Sequence, residues 1–160
     1  MRRLLLPVVL AGAIIGGAAS AGTFEDAQEA FQRNDMKTVI RLLLPLAEHG
    51  SAEIQYALSN AYYWRQEYTN AVKWCRRAAD QGDIKAQQNL AHMYLLGEGV
   101  PRDFVEAYKW FSLAAAHDTD ETWQRWARED LNRLEPHMTP AQIAEAQKLT
   151  REWKPNVTQP

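Results

Sequence analysis

The chain has 160 residues, with 18 basic and 20 acidic side chains, 46% hydrophobic residues and a single cysteine. That is about one domain's worth of protein, which excludes a multidomain enzyme. The charge balance excludes a basic nucleic-acid binder, and one cysteine excludes a disulfide framework. A negative mean hydropathy with one apolar stretch excludes a transmembrane bundle.

At the N-terminus, Arg2 and Arg3 precede an apolar run over residues 4–19, followed by Ala19-Ser20-Ala21. A positive segment, an apolar segment and an A-x-A site predict an export signal, residues 1–21, cut before Gly22. The run includes Pro7, Gly12, Gly16 and Gly17. It falls short of the roughly 20 apolar residues of a permanent span, so no membrane insertion is expected after signal removal. The expected location is periplasmic or secreted. Removing residues 1–21 leaves 139 residues, with 16 basic against 20 acidic side chains. Such a surface has no general attraction for nucleic acid or anionic lipid.

The next feature is internal repetition. Ile54, Gln55, Leu58 and Tyr62 recur 32 residues later as Ala86, Gln87, Leu90 and Tyr94. Ala71, Trp74, Ala78 and Ala79 recur at an offset of 36 as Ala107, Trp110, Ala114 and Ala115. Two copies of one unit therefore differ by four residues in a single loop, a change that loop closure tolerates cheaply. Upstream, Val39, Leu42, Leu46, Ala47 and Gly50 precede Ala71, Trp74, Ala78, Ala79 and Gly82 by 32.

Punctuation repeats too. Ser51, Asp83 and Thr119 share one position and Asp35, Glu67 and Asp103 another, each just ahead of a helix start. Asp103 with Glu106 predicts a cap with a carboxylate reaching back. Apolar steps of three and four inside each unit are helical, and small residues alternate with large aromatics, as a close-packed helix hairpin requires. No strand pattern is present. The units are about 23–51, 52–83 and 84–119. Thr139-Pro140-Ala141-Gln142 predicts a capping box opening a helix to about Trp153. Residues 120–154 are expected to be C-terminal capping helices, and 155–160 a frayed, flexible tail.

The motif of Ala86, Leu90, Ala91, Tyr94, Gly97, Gly99, Val100 and Asp103, followed by Ala107, Trp110, Ala114 and Ala115, resembles the Sel-one-like repeat (SLR) family, relatives of the tetratricopeptide repeats. Residues 52–83 are similar but carry Arg65-Gln66-Glu67 in place of the Gly-x-Gly-Val loop, and residues 23–51 match only in their second helix. The resemblance implies an all-α, right-handed α-solenoid of helix-turn-helix repeats, serving as a scaffold or adaptor for other proteins. Bacterial members are often exported. Cysteine-rich relatives staple each unit with a disulfide, a pattern that the lone Cys75 excludes.

First helices line the concave side of tetratricopeptide-type solenoids. On that basis the expected partner-binding set is Tyr56, Asn60, Tyr63 and Trp64 in one unit, and Gln88, His92 and Leu95 in the next. Rings supply contact area and amides bond a peptide backbone. Tyr63 and Trp64 have the inter-repeat core as their alternative place. Trp123 and Trp126, three apart, are expected to bury against Trp110 or Phe111, with sugar stacking as the sharper alternative. His49 and His117 fall at second-helix ends, where an imidazole favours the helix dipole, and His137 falls in a turn. No histidine or cysteine spacing suits a metal, and no cofactor is expected. An enzyme would need His92 beside a carboxylate in a cleft. The sequence thus predicts a non-enzymatic interaction module of the bacterial envelope that holds a protein or peptide partner; the alternative is a glycan-binding wall accessory protein. It does not give the partner's identity or the oligomeric state.

Overall fold

A computed structural model describes residues 18–116 and 121–156. Most of the expected export signal, together with His117, Thr119 and the tail from 157, lies outside the described residues. The expected cut before Gly22 falls within the first turns of a helix. The described chain is all-helical: α1 (Ala18–Gln32), α2 (Met36–Ala47), α3 (Ala52–Trp64), α4 (Tyr68–Asp80), α5 (Ile84–Leu96), α6 (Phe104–Ala116), α7 (Glu121–Leu134) and α8 (Pro140–Glu152). A 3-10 turn, Glu135–His137, separates the last two.

Each helix through α6 packs on its chain neighbours, so that hairpins stack into an α-solenoid. The recurring small residues explain the closeness of this packing. Ala71, Ala78, Ala79, Ala86, Ala91, Ala107 and Ala114 are all fully buried and let backbones approach, while Trp74 and Trp110 fill the space between helices. Amides then tie one unit to the next. Gln55 Nε2 donates to the carbonyls of Ala47 (3.0 Å) and Gly50 (3.3 Å). Its counterpart Gln87 donates to Ala79 at 3.3 Å. Both add a second bond to a carbonyl at the end of a preceding helix that already accepts from Gly50 N or Gly82 N, and this ties the two units together. Ser59 Oγ holds the Ala71 carbonyl at 2.9 Å inside its own hairpin.

The helix starts divide into true caps and substitutes. Asp35 accepts from Thr38 N, Asp83 from Ala86 N, and Asp103 from Val105 N and Glu106 N. Ser51 and Glu67 stand at the same positions without a side-chain cap bond. Glu67 turns instead to Arg65 at 2.7 Å and Asn70 at 3.3 Å, because a neighbouring guanidinium outcompetes a backbone amide for a carboxylate. Nor does Glu106 reach back to Asp103: it accepts from Lys109 and from Trp110 Nε1 at 3.0 Å. The first helices end in left-handed residues, Asn34 (φ 59°), Gln66 (φ 62°) and Gly97 (φ 75°).

At the C-terminal end the geometry departs from a regular hairpin. α7 and α8 each pack on α6 rather than chiefly on one another. The Thr139–Gln142 capping box forms as expected, with Thr139 Oγ1 accepting from Gln142 N and Gln142 Oε1 from Thr139 N. Trp153, just past α8, sets its ring edge-to-face on Trp110 with centroids 6.3 Å apart. Asn156 N then donates to the Asp80 carbonyl at 2.7 Å, so this part of the expected frayed tail is tied down to the end of α4. Trp123 and Trp126 are half-buried outside the core and pair edge-to-face with each other at 5.1 Å. The ring on Trp110 is Trp153, and the ring on Phe111 is His92.

Candidate partner-binding face

Helical spacing sets Tyr56, Asn60 and Tyr63 along one side of α3, and the 32-residue repeat sets Gln88, His92 and Leu95 in the same places on α5. Burial divides this set. Tyr56, Asn60 and Gln88 are 5%, 1% and 4% exposed, so they are not open contact residues, contrary to the sequence expectation. For Tyr56 and Asn60 the reason is a residue that the repeat does not predict. Asn89 stands where the preceding unit has the small Ala57, and it crosses from α5 to α3. Its Nδ2 donates to Tyr56 Oη and Asn60 Oδ1, both at 3.3 Å. Burial pushes the Tyr56 phenol well above its usual range, which keeps it a neutral hydrogen-bonding group.

The lower half of the set is engaged from α7. Asp130 Oδ2 lies 3.2 Å from His92 Nε2 and 3.5 Å from Gln88 Nε2, while its Oδ1 accepts from Arg133 at 3.3 Å. His92 also sets its ring edge on Phe111, 4.9 Å between centroids. Of the polar atoms in this ladder, Asn60 Nδ2 and Gln88 Oε1 are buried without a hydrogen-bond partner. Such atoms cost stability in an isolated protein, and they mark positions where a ligand has something to satisfy.

The upper half is more open. Tyr63 is half-buried against Tyr68 and donates its hydroxyl to Glu98 Oε2 at 2.6 Å. Glu98 belongs to the Gly97–Gly99 loop, so the longer loop of one unit closes over the aromatic end of the unit before it. Trp64 and its repeat counterpart Leu96 end α3 and α5, and each is 52% exposed. Leu95 is half-buried against the core. Of the expected set, then, only Trp64 offers a broad open surface, and Leu96 joins it. Leu96 was legible as the counterpart of Trp64; Asn89 was legible as the polar exception at an alanine position. Asp130 had no such signal, because α7 lies outside the repeat register.

His92 does have its carboxylate neighbour. Ser59 Oγ is engaged with the Ala71 carbonyl and Cys75 Sγ with the Ala86 carbonyl at 3.2 Å, so neither pairs with His92. Burial holds the Cys75 thiol far above its usual range. Among the described residues no group of three or more His, Cys, Asp or Glu could hold a metal. His49 and His137 are exposed. No helix among the described residues is long and apolar enough to cross a membrane.

Comparison with known proteins fits this geometry. The Sel1 repeat family model matches residues 52–83 and 84–118. Over 60 residues the chain is 37% identical to the chitin synthase regulator SKT5 of Malassezia restricta, a match covering 38% of this chain and 4% of that protein. It also resembles a crystallised protective antigen present in uropathogenic Escherichia coli strains, which displays an SLR fold. That likeness has a TM-score of 0.74 and 26% identity, and covers 84% of this chain and 29% of the other. The chain thus spans only a small part of either relative's length.

Proposed function

We propose, from the premise that this chain is a Sel1-like repeat protein, that it is a non-enzymatic adaptor of the bacterial envelope whose partner docks across the ends of α3 and α5. Sel1 repeats in general mediate protein–protein interaction. The observation that carries the reading is the exposed pair Trp64 and Leu96, two large apolar side chains at equivalent places in adjacent units. An exposed tryptophan beside a hydrogen-bonded tyrosine is the composition of a binding hot spot. The predicted export signal supports an envelope location, and the likeness to a protective antigen of a bacterium agrees with it.

The test is capture from envelope extract by the C-terminally tagged chain, beside a Trp64→Ala, Leu96→Ala variant. Both side chains are half in solvent, so the variant should keep the wild-type melting temperature, unlike one at Tyr63 or His92, whose bonds are internal. A protein retained by wild type and lost from the variant supports the reading. Equal retention moves the interface away from this face. Fractionation with N-terminal sequencing tests the location: recovery in the cytoplasm with Met1 intact would refute export. The second reading, glycan binding, rests on Trp123 and Trp126 lying outside the core. Titration with soluble wall fragments tests it: a shift in tryptophan emission supports stacking on sugar, and unchanged emission refutes it.

A further inference from the structure

The polar ladder on α3 and α5 is partly filled by the chain itself. Two side chains on α5, one of them nine-tenths or more buried, converge on a single carboxylate oxygen brought by α7. Gln88 must turn its Nε2 toward that carboxylate, because an ionised carboxylate only accepts, and this leaves Gln88 Oε1 without a donor. One unit earlier, the counterpart of His92 is Asn60, whose Nδ2 has no acceptor although the residue is buried. α7 reaches the α5 half of the ladder, while Asn89 closes the α3 half.

We infer that Asp130 is an internal stand-in for an acidic side chain of the partner. Gln88 and His92 form a receiving pair for a carboxylate, and an acidic peptide displaces Asp130 from it. The segment's own backbone then supplies an N–H for Gln88 Oε1, the atom left without a donor while Asp130 is in place. The occupant is acidic because the group held here is a carboxylate. Displaced, Asp130 keeps Arg133 as its partner, so release leaves no bare charge. This inference rests on the adaptor reading and names the chemistry of its partner.

The test uses the full chain with Asp130→Asn, and Asp130→Ala as a second variant should the asparagine retain the Gln88 bond or disturb folding. The probes are acetyl-Gly-Asp-Gly-amide and its Asn counterpart, followed through the side-chain NMR signals of Gln88 and His92. A tethered carboxylate competes at an effective concentration of order millimolar, so removing it should tighten binding of the Asp peptide by about 10-fold or more. The Asn peptide should bind the variants about 10-fold more weakly than the Asp peptide, a loss of about 1.4 kcal/mol. Equal shifts from both peptides, or unmoved signals in both variants, overturn the inference. Silent peptides together with partner capture that depends on Trp64 and Leu96 overturn the carboxylate site and leave the adaptor standing. Asp-selective peptide binding without any captured protein does the reverse.

Discussion

The loop between α5 and α6 offers a matched pair of perturbations. Gly97 and Gly99 have nearly the same backbone conformation, φ 75° and 76°. A side chain at either position pays the left-handed penalty of about 1–2 kcal/mol. Their surroundings differ. A Cβ at Gly97 would find its nearest neighbours at 3.5 Å, in Arg102, which is ordinary contact. At Gly99 it would collide with the Tyr68 carbonyl and come within 2.9 Å of Thr69 N, both backbone of the previous unit that has no side-chain freedom to yield. Overpacking of this kind costs about 1–3 kcal/mol more. Gly97→Ala should therefore cost about 1–2 kcal/mol and Gly99→Ala about 2–5 kcal/mol, with the difference reporting the contact between units. Urea unfolding followed by tryptophan emission measures both, provided the slopes agree. Gly99→Ala should also shift the Tyr63–Glu98 contact, since Glu98 lies between the two glycines. Equal midpoint shifts for the two variants would refute the claim that the loop is seated on Tyr68.

Trp74→Ala and Trp110→Ala should each lose about 3–5 kcal/mol, because both indoles are about 1% exposed and leave a cavity; native-like thermal melts would contradict this. Asn89→Ala, which restores the residue type of the preceding unit, should cost about 1–3 kcal/mol by unpairing buried Tyr56 and Asn60, and Asn89→Asp serves as the comparison in the same denaturation series. Burial raises the Cys75 thiol to about 12 in the folded chain, against about 8.5 unfolded. Its contribution to stability is complete below about pH 8.5 and is lost as pH rises toward 12. The unfolding midpoint of wild type minus that of Cys75→Ala should therefore fall between pH 8 and 10.5, and a flat difference would show that the thiol is accessible.

Local structure was legible because it is encoded locally. Apolar steps of three and four gave the helices, and offsets of 32 and 36 gave equivalent positions on them. Thr139 with Gln142 gave a helix start, since all its bonds lie within four residues. Trp74 and Trp110 were identifiable as core residues because each recurs amid alanines that only close packing explains. What these patterns could not fix is which face of a helix another element covers. The repeat placed Tyr56, Asn60 and Gln88 on the expected face, yet Asn89 and Asp130 turned that face into a hydrogen-bonded interior, across 33 and 42 residues of chain. In the same way Trp153 came to rest on Trp110, because α8 returns along α6 and its tail bonds to Asp80. A helical period states that a residue needs cover. Only tertiary packing, where distant segments compete for the same surface, decides which residue supplies it.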